Sequence, residues 1–119
     1  MILIVEDDVI TRYSFAQLLR GNGHEVVESG DGNEALVFLH TLPIDLVITD
    51  LVLPNVNGLN LVTHIHRRWP NMPIVLVSGY LSQYGGETIL GDRAHFFQKP
   101  VRPSVLVAAV RNLLPPTAH

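Results

Sequence analysis

Two periodicities alternate along the chain. Short apolar runs rich in β-branched residues stand at 2–5, 25–27, 45–49, 73–77 and 95–98, each with the length of a strand. Between them, apolar residues recur at three and four positions. Thr11, Phe15, Leu18 and Leu19 fall on one helical face, with Gly21 or Gly23 placed to end that helix. Ala35, Leu36 and Leu39 mark a second helix. Leu61, Val62, Ile65 and Trp69 mark a third over 58–69, just after an Asn57-Gly58 pair that reads as a turn. The last aligns Leu106, Ala109, Val110 and Leu113 behind Pro103, a favoured first helical residue. The segment 81–90 is predicted to be a short or frayed helix. Gly85 and Gly86 lie inside it, and each costs about 1 kcal/mol in a helix interior.

Strands and helices that alternate in this way imply right-handed crossovers and a parallel sheet with helices on both faces. Strands buried on both sides read as unbroken apolar runs, and ILIV, LVIT and IVLV do so. The expected fold class is α/β, a doubly wound five-stranded domain over 1–114 with a short tail at 115–119. In such sheets ligands bind at the carboxyl ends of the strands.

Those ends carry the candidate chemistry. The first strand runs into Glu6-Asp7-Asp8, the third into Asp50, the fourth into Ser78-Gly79 and the fifth into Lys99-Pro100. The second ends without a reactive group. Neighbouring ends lie about 4.8 Å apart, so Glu6, Asp7 and Asp50 are expected to share a pocket with one hydroxyl and one ammonium. Crowded carboxylates repel, and burial adds to the cost of keeping them ionised. An oxygen-seeking divalent ion relieves this. Magnesium is the expected cofactor and manganese its alternative, because such ions need only one or two carboxylates plus phosphate. A cation, a lysine and a hydroxyl converging on Asp50 make a place for a phosphoryl group, and the carboxylate itself is a fitting nucleophile.

Composition narrows the setting. The 119 residues suit one core, and 47% apolar with 16% charged residues is globular rather than disordered. No run approaches the roughly 18 apolar residues of a membrane span. MILIVEDD turns acidic after five residues, unlike a secretory signal. The absence of cysteine rules out disulfides and thiol catalysis and suits a cytoplasmic protein. A net charge of -3 argues against nucleic-acid binding through this chain.

Four stretches together, ILIVEDD, ITDLVLPNVNG, VLVSG and FFQKP, resemble the response-regulator receiver domain of two-component signalling, over Ile2 to about Leu114. The second is similar to that family's D-x-x-x-P-x-x-x-G. The resemblance implies a flavodoxin-like sheet in the order 2-1-3-4-5. It implies a phosphorylatable switch rather than an enzyme, with only self-directed phosphotransfer and dephosphorylation. Asp50 would be the phosphoacceptor. Asp7, Asp50 and the carbonyl of Val52 would bind magnesium directly, and Glu6 through water. Ser78 and Lys99 would hold the phosphoryl oxygens, Phe96 would be the switch aromatic, Gly79 a structural glycine, and Pro100 would follow a cis bond. The implied donor is a histidine kinase or phosphotransfer protein. The implied output is a changed face of the 81–90 segment, fifth strand and last helix, presented to a downstream protein by a monomer or weak dimer. Three departures stand out. Phe96 lacks the hydroxyl of the commoner tyrosine. Val52 and Tyr80 are bulky where many relatives are polar, which suggests slower loss of phosphate. Gly85-Gly86 weakens the helix that many relatives use for output.

Plainer readings stand beside these. Asp8 suits a helix N-cap, Phe96 suits simple core, and Arg67-Arg68 a solvated helix end. His64 and His66, two apart, do not face one another. A haloacid-dehalogenase-type phosphatase would need an aspartate where Val52 stands. A nucleotide-binding domain would need a glycine-rich loop where three acids stand. A degenerate receiver that only binds partners would not keep every acceptor-site residue. A receiver belonging to a hybrid kinase or longer regulator remains the nearest alternative to a stand-alone one.

Overall fold

The strands send alternate residues to opposite sides of one sheet, and both sides are apolar. The computed structural model describes residues 1–54, 57–79 and 94–114. In chain order it contains β1 (Ile2–Val5), α1 (Val9–Gly21), β2 (Val26–Ser29), α2 (Gly32–Thr41), β3 (Leu46–Thr49), α3 (Gly58–Arg68), β4 (Ile74–Ser78), β5 (Ala94–Gln98) and α4 (Pro103–Leu113). All strand pairs are parallel, in the order β2-β1-β3-β4-β5. The sheet is doubly wound as the alternation of strands and helices predicts, in the flavodoxin-like order that the resemblance implies.

Leu3, Val5, Val47, Ile74 and Leu76 face α2 and α3, where they meet Ala35, Leu39, Leu61, Val62 and Ile65. Ile2, Ile4, Leu46, Ile48, Val75 and Val77 face the other way, onto Ala16, Leu19, Leu106 and Val110 of α1 and α4. Burying each large apolar side chain contributes about 1.5–3 kcal/mol, so β1, β3 and β4 are fixed from both sides. The edge strands β2 and β5 are only partly buried.

Local chemistry starts the helices. Asp8 accepts a hydrogen bond from the amide of Thr11 at 3.0 Å, Asp31 from Glu34 at 2.8 Å and Asn57 from Leu59 at 2.8 Å. Each such cap is worth about 1 kcal/mol. In α4, Pro103 takes the first turn without a side-chain cap. Gly23, at φ +90°, turns the chain after α1.

Three sequence readings shift. Asn57-Gly58 is no turn, since Asn57 caps α3 and Gly58 opens it. β2 lies at Val26–Ser29 rather than 25–27, because Arg12 and Arg20 of α1 meet the Glu28 carboxylate and let a charged residue continue the strand. Ala16, absent from the predicted face of α1, is fully buried, whereas Phe15 and Leu18 only flank the core. The predicted 81–90 helix, Tyr80 and the 115–119 tail lie outside the described residues. Among the described residues, no helix is long and apolar enough to cross a membrane.

Candidate functional site

The parallel register brings the ends of β1, β3 and β4 level with one another. Val5 pairs with Thr49, and Thr49 with Leu76. One residue beyond β3, the Asp50 amide donates to the carbonyl of Val5 at 3.2 Å. That bond carries the strand geometry through to the carboxylate. Glu6 is placed likewise, its amide donating to the Ser29 carbonyl at 3.0 Å. Asp50 and Glu6 are therefore nearly buried, at 8% and 3% exposure.

A close approach of backbones shapes the loop after Asp50. Gly58 donates its amide to the Leu51 carbonyl at 3.0 Å. A Cβ at Gly58 would sit 2.5 Å from the Cα and carbonyl oxygen of Leu51 and 2.6 Å from the Asp50 carbonyl oxygen. Only glycine lets α3 start this near. Within the loop, the Val52 amide donates to Oδ1 of Asp50 at 3.1 Å, which fixes the carboxylate's rotation.

The other oxygen of Asp50 faces Lys99. The ammonium Nζ donates to Asp50 Oδ2 at 2.7 Å and to Glu6 Oε1 at 2.5 Å. Lys99 is aimed by its own backbone, its amide donating to the Ser78 carbonyl at 3.1 Å; its bond to Pro100 is cis. Burial pushes the Glu6 carboxyl above its ordinary range, and the hydrogen bonds from Lys99 and the Asp8 amide only partly offset that. Burial pulls the Lys99 ammonium down, but its hydrogen bonds to Asp50 and Glu6 outweigh it, and the net shift is upward. At Asp8 the hydrogen bonds from the Thr11 hydroxyl and amide hold the carboxyl low.

The expected gathering of three acids takes a different form. Glu6 and Asp50 share Lys99, while Asp7 is exposed. Among the described residues no three His, Cys, Asp or Glu side chains are arranged to hold a metal. The inward acids are drawn onto the ammonium instead. The donors still suit a magnesium-type ion. They are all oxygens, and Asp7 and Asp50 would supply the one or two carboxylates that such an ion takes alongside water.

The other predicted residues among those described lie at the ends of β3 and β4 and within β5. Ser78 is fully buried at the end of β4. Val52 is 49% exposed beside Asp50. Phe96 is partly buried in β5, level with Leu76, against the α2–α3 side of the core. A Cβ at Gly79 would meet nothing within 4 Å, so packing does not explain that glycine.

Sequence reasoning missed Arg12. From α1 its Nη1 donates to the Glu6 carbonyl at 2.8 Å, and its Nε lies 3.6 Å from Glu28. The available signal was Glu28, a charge set in an apolar strand that calls for a cation.

A sequence model of the response regulator receiver domain matches residues 2–111. The chain is 34% identical over 116 residues to the DNA-binding response regulator MtrA of Mycobacterium tuberculosis, covering 95% of the chain and 50% of the relative. It thus spans about half the length of the curated relatives it matches. The receiver domain of NtrX from Brucella abortus superposes with a TM-score of 0.86 at 28% identity, covering 96% of this chain and 98% of that one. A CheY-like receiver protein from Methanospirillum hungatei superposes with a TM-score of 0.84 at 30% identity, over 93% and 90%. The sheet order agrees with these likenesses, and the chain belongs to the response regulator receiver domain family.

Proposed function

We propose that the protein is a signalling switch that accepts a phosphoryl group on Asp50. The observation that carries this reading is Lys99 Nζ seated between Asp50 and Glu6, at 2.7 and 2.5 Å. A carboxylate at the end of a buried strand is rigid, and its partner ammonium can pass to the oxygens of an incoming phosphoryl group. Asp50 Oδ2 attacks phosphorus, and the P–N bond of a phosphohistidine on the partner kinase breaks. The imidazole leaves with the electron pair. Phosphoryl transfer of this kind is mostly positioning and charge neutralisation. Lys99 supplies part of the neutralisation. Asp7 and Asp50, with the Val52 carbonyl and with Glu6 through water, would hold magnesium or manganese. When bound, that ion neutralises charge on the transferring oxygens.

A protein donor has a suitable approach. Val9, Ile10 and Tyr13 of α1 are exposed. Beside them a groove of about 470 Å³ is lined by Ile10, Phe15, Lys99 and Pro100. Apolar surface next to a charged site suits docking by a histidine kinase or phosphotransfer protein.

The acyl phosphate would then attract the Ser78 hydroxyl, and Phe96 would turn into the volume released. The face of β5 and α4 would change for a downstream partner. Phosphorylation shifts this equilibrium only by its differential affinity for the two states. Val52, exposed beside Asp50, would shield the acyl phosphate from water together with Tyr80. A second reading, a receiver module of a longer regulator, is favoured by the half-length match to MtrA.

The test is incubation with a small phosphodonor and magnesium, followed by intact-mass measurement. One added phosphoryl group is expected, and none in Asp50→Asn. An Asp50→Asn protein labelled as fully as wild type would move the acceptor elsewhere.

A further inference from the structure

Glu6, Asp7 and Asp8 form the loop on which the phosphoacceptor reading rests, and one residue outside that loop holds it. Arg12 reaches back from the first turn of α1. Its Nη1 donates to the Glu6 carbonyl at 2.8 Å. The same guanidinium lies 3.6 Å from Glu28 through Nε, and Glu28 is gripped from its other side by Arg20 at 3.0 Å. Space for the guanidinium is left by Gly30, where a Cβ would stand 3.2 Å from Nη1. Arg12 is mostly buried, its side chain 21% exposed. A guanidinium presents donors in a fixed fork, so one group can serve a carbonyl and a carboxylate at a set angle. Lysine, a point charge on a flexible stem, lacks that fixed fork and sets no such angle.

We infer that Arg12, braced by Glu28, is a positioning residue that sets the Glu6–Asp7 backbone for cation binding and phosphoryl transfer. This inference rests on the phosphoacceptor reading. The Glu6 carbonyl immediately precedes Asp7, so a peptide plane held by Arg12 fixes the direction in which the Asp7 chain departs. The other hydrogen bonds given for the loop, Glu6 N–H to Ser29, Asp8 N–H to Glu6 Oε2, Lys99 to Glu6 Oε1, and Thr11 and the Arg12 amide to Asp8, do not restrain that peptide's carbonyl. Supports behind a ligand-bearing loop typically change metal affinity by 10–100-fold when removed.

The test compares wild type, Arg12→Gln, Arg12→Lys and Glu28→Gln. Magnesium affinity is read by calorimetry, and amide hydrogen exchange at Glu6 and Asp8 by NMR of the metal-free protein. Arg12→Gln is expected to weaken magnesium binding roughly tenfold and to speed exchange at those two amides, while α4 amides keep their rates. Glu28→Gln is expected to give a smaller loss in the same direction, and it carries the test should Arg12→Gln not fold. Arg12→Lys is expected to recover only part of the affinity. Wild-type affinity and exchange in both Arg12→Gln and Glu28→Gln would overturn the positioning role alone. Wild type that neither binds magnesium nor takes up phosphate would overturn the phosphoacceptor reading, and this inference with it.

Discussion

At Glu6 a nearby cation and a poor solvent pull in opposite directions. Its carboxyl is almost sealed from water, which favours the protonated form, while Lys99 favours the ionised one. Burial prevails, so the folded protein binds a proton at Glu6 more readily than the unfolded chain does. Stability from this group is present below the ordinary glutamate value of 4.5. It declines as pH rises from there through the raised folded value. Lys99 is also raised, so its contribution holds up to its ordinary 10.5 and falls beyond it. Glu6→Gln should therefore flatten the acid-side decline while leaving the alkaline one, as read from urea midpoints across pH. A Glu6→Gln profile parallel to wild type between pH 4 and 7 would place the acid-side effect elsewhere. A second residue-scale outcome concerns Val52. If it and Tyr80 keep water from the acyl phosphate, Val52→Asn combined with Tyr80→Glu should shorten the phosphate's lifetime several-fold, on the scale of about 1 kcal/mol. Phosphate loss no faster in that double variant would remove the shielding role.

Between residue and fold stands the junction of β3 and α3, and Gly58 governs it. Because a Cβ there would fall within 2.6 Å of three backbone atoms of Asp50 and Leu51, no rotamer change can relieve Gly58→Ala. Overpacking of this kind typically costs about 1–3 kcal/mol. Here it must also displace the loop that orients Asp50. The variant is expected to unfold at lower urea and to accept phosphate more slowly. An unchanged phosphorylation rate beside a lowered midpoint would show that α3 moves away and the acceptor loop stays. This junction also shows how far elements could be read from the sequence. Asp50 and Lys99 were legible because a charged residue ending an apolar strand has one place to go in a parallel sheet. Asn57-Gly58 was not, since an Asn-Gly pair serves a turn and a capped helix start equally well. Nor was the choice of Glu6 over Asp7 as the inward acid, because strand twist decides which of two adjacent carboxylates turns toward the ammonium. Arg12 escaped for a related reason: its partners lie on β1 and β2, and helical periodicity says nothing of a side chain's reach across elements.

On the scale of the molecule, the site exists only when the sheet does. Glu6, Asp50 and Lys99 are separated by 44 and 49 positions, and pairing of β1, β3, β4 and β5 alone brings them to one rim. An unfolded chain keeps the Glu6-Asp7-Asp8 run apart from Asp50 and holds a divalent ion only weakly. A ligand that prefers the folded state stabilises it by RT ln(1 + [L]/Kd), about 2.7 kcal/mol at a hundredfold excess over Kd. The rim as it stands places two nearly buried carboxylates on one ammonium, with Asp7 adjacent, so it carries an excess of negative charge that a cation would reduce. Magnesium is therefore expected to raise the thermal midpoint of wild type in a saturable way, beyond any effect of sodium at equal ionic strength. Asp50→Asn removes one carboxylate from the rim but leaves both core layers untouched. It should melt no lower than wild type without magnesium, since Glu6 then has Lys99 to itself, and its response to magnesium should be much reduced. Ile65→Ala, which opens a cavity between α3 and the sheet, should melt lower at a cost of about 2–5 kcal/mol and yet keep the full magnesium response. Equal magnesium responses in wild type and Asp50→Asn would mean that the ion acts on general surface charge, and the strand-end rim would lose its claim to be the binding site.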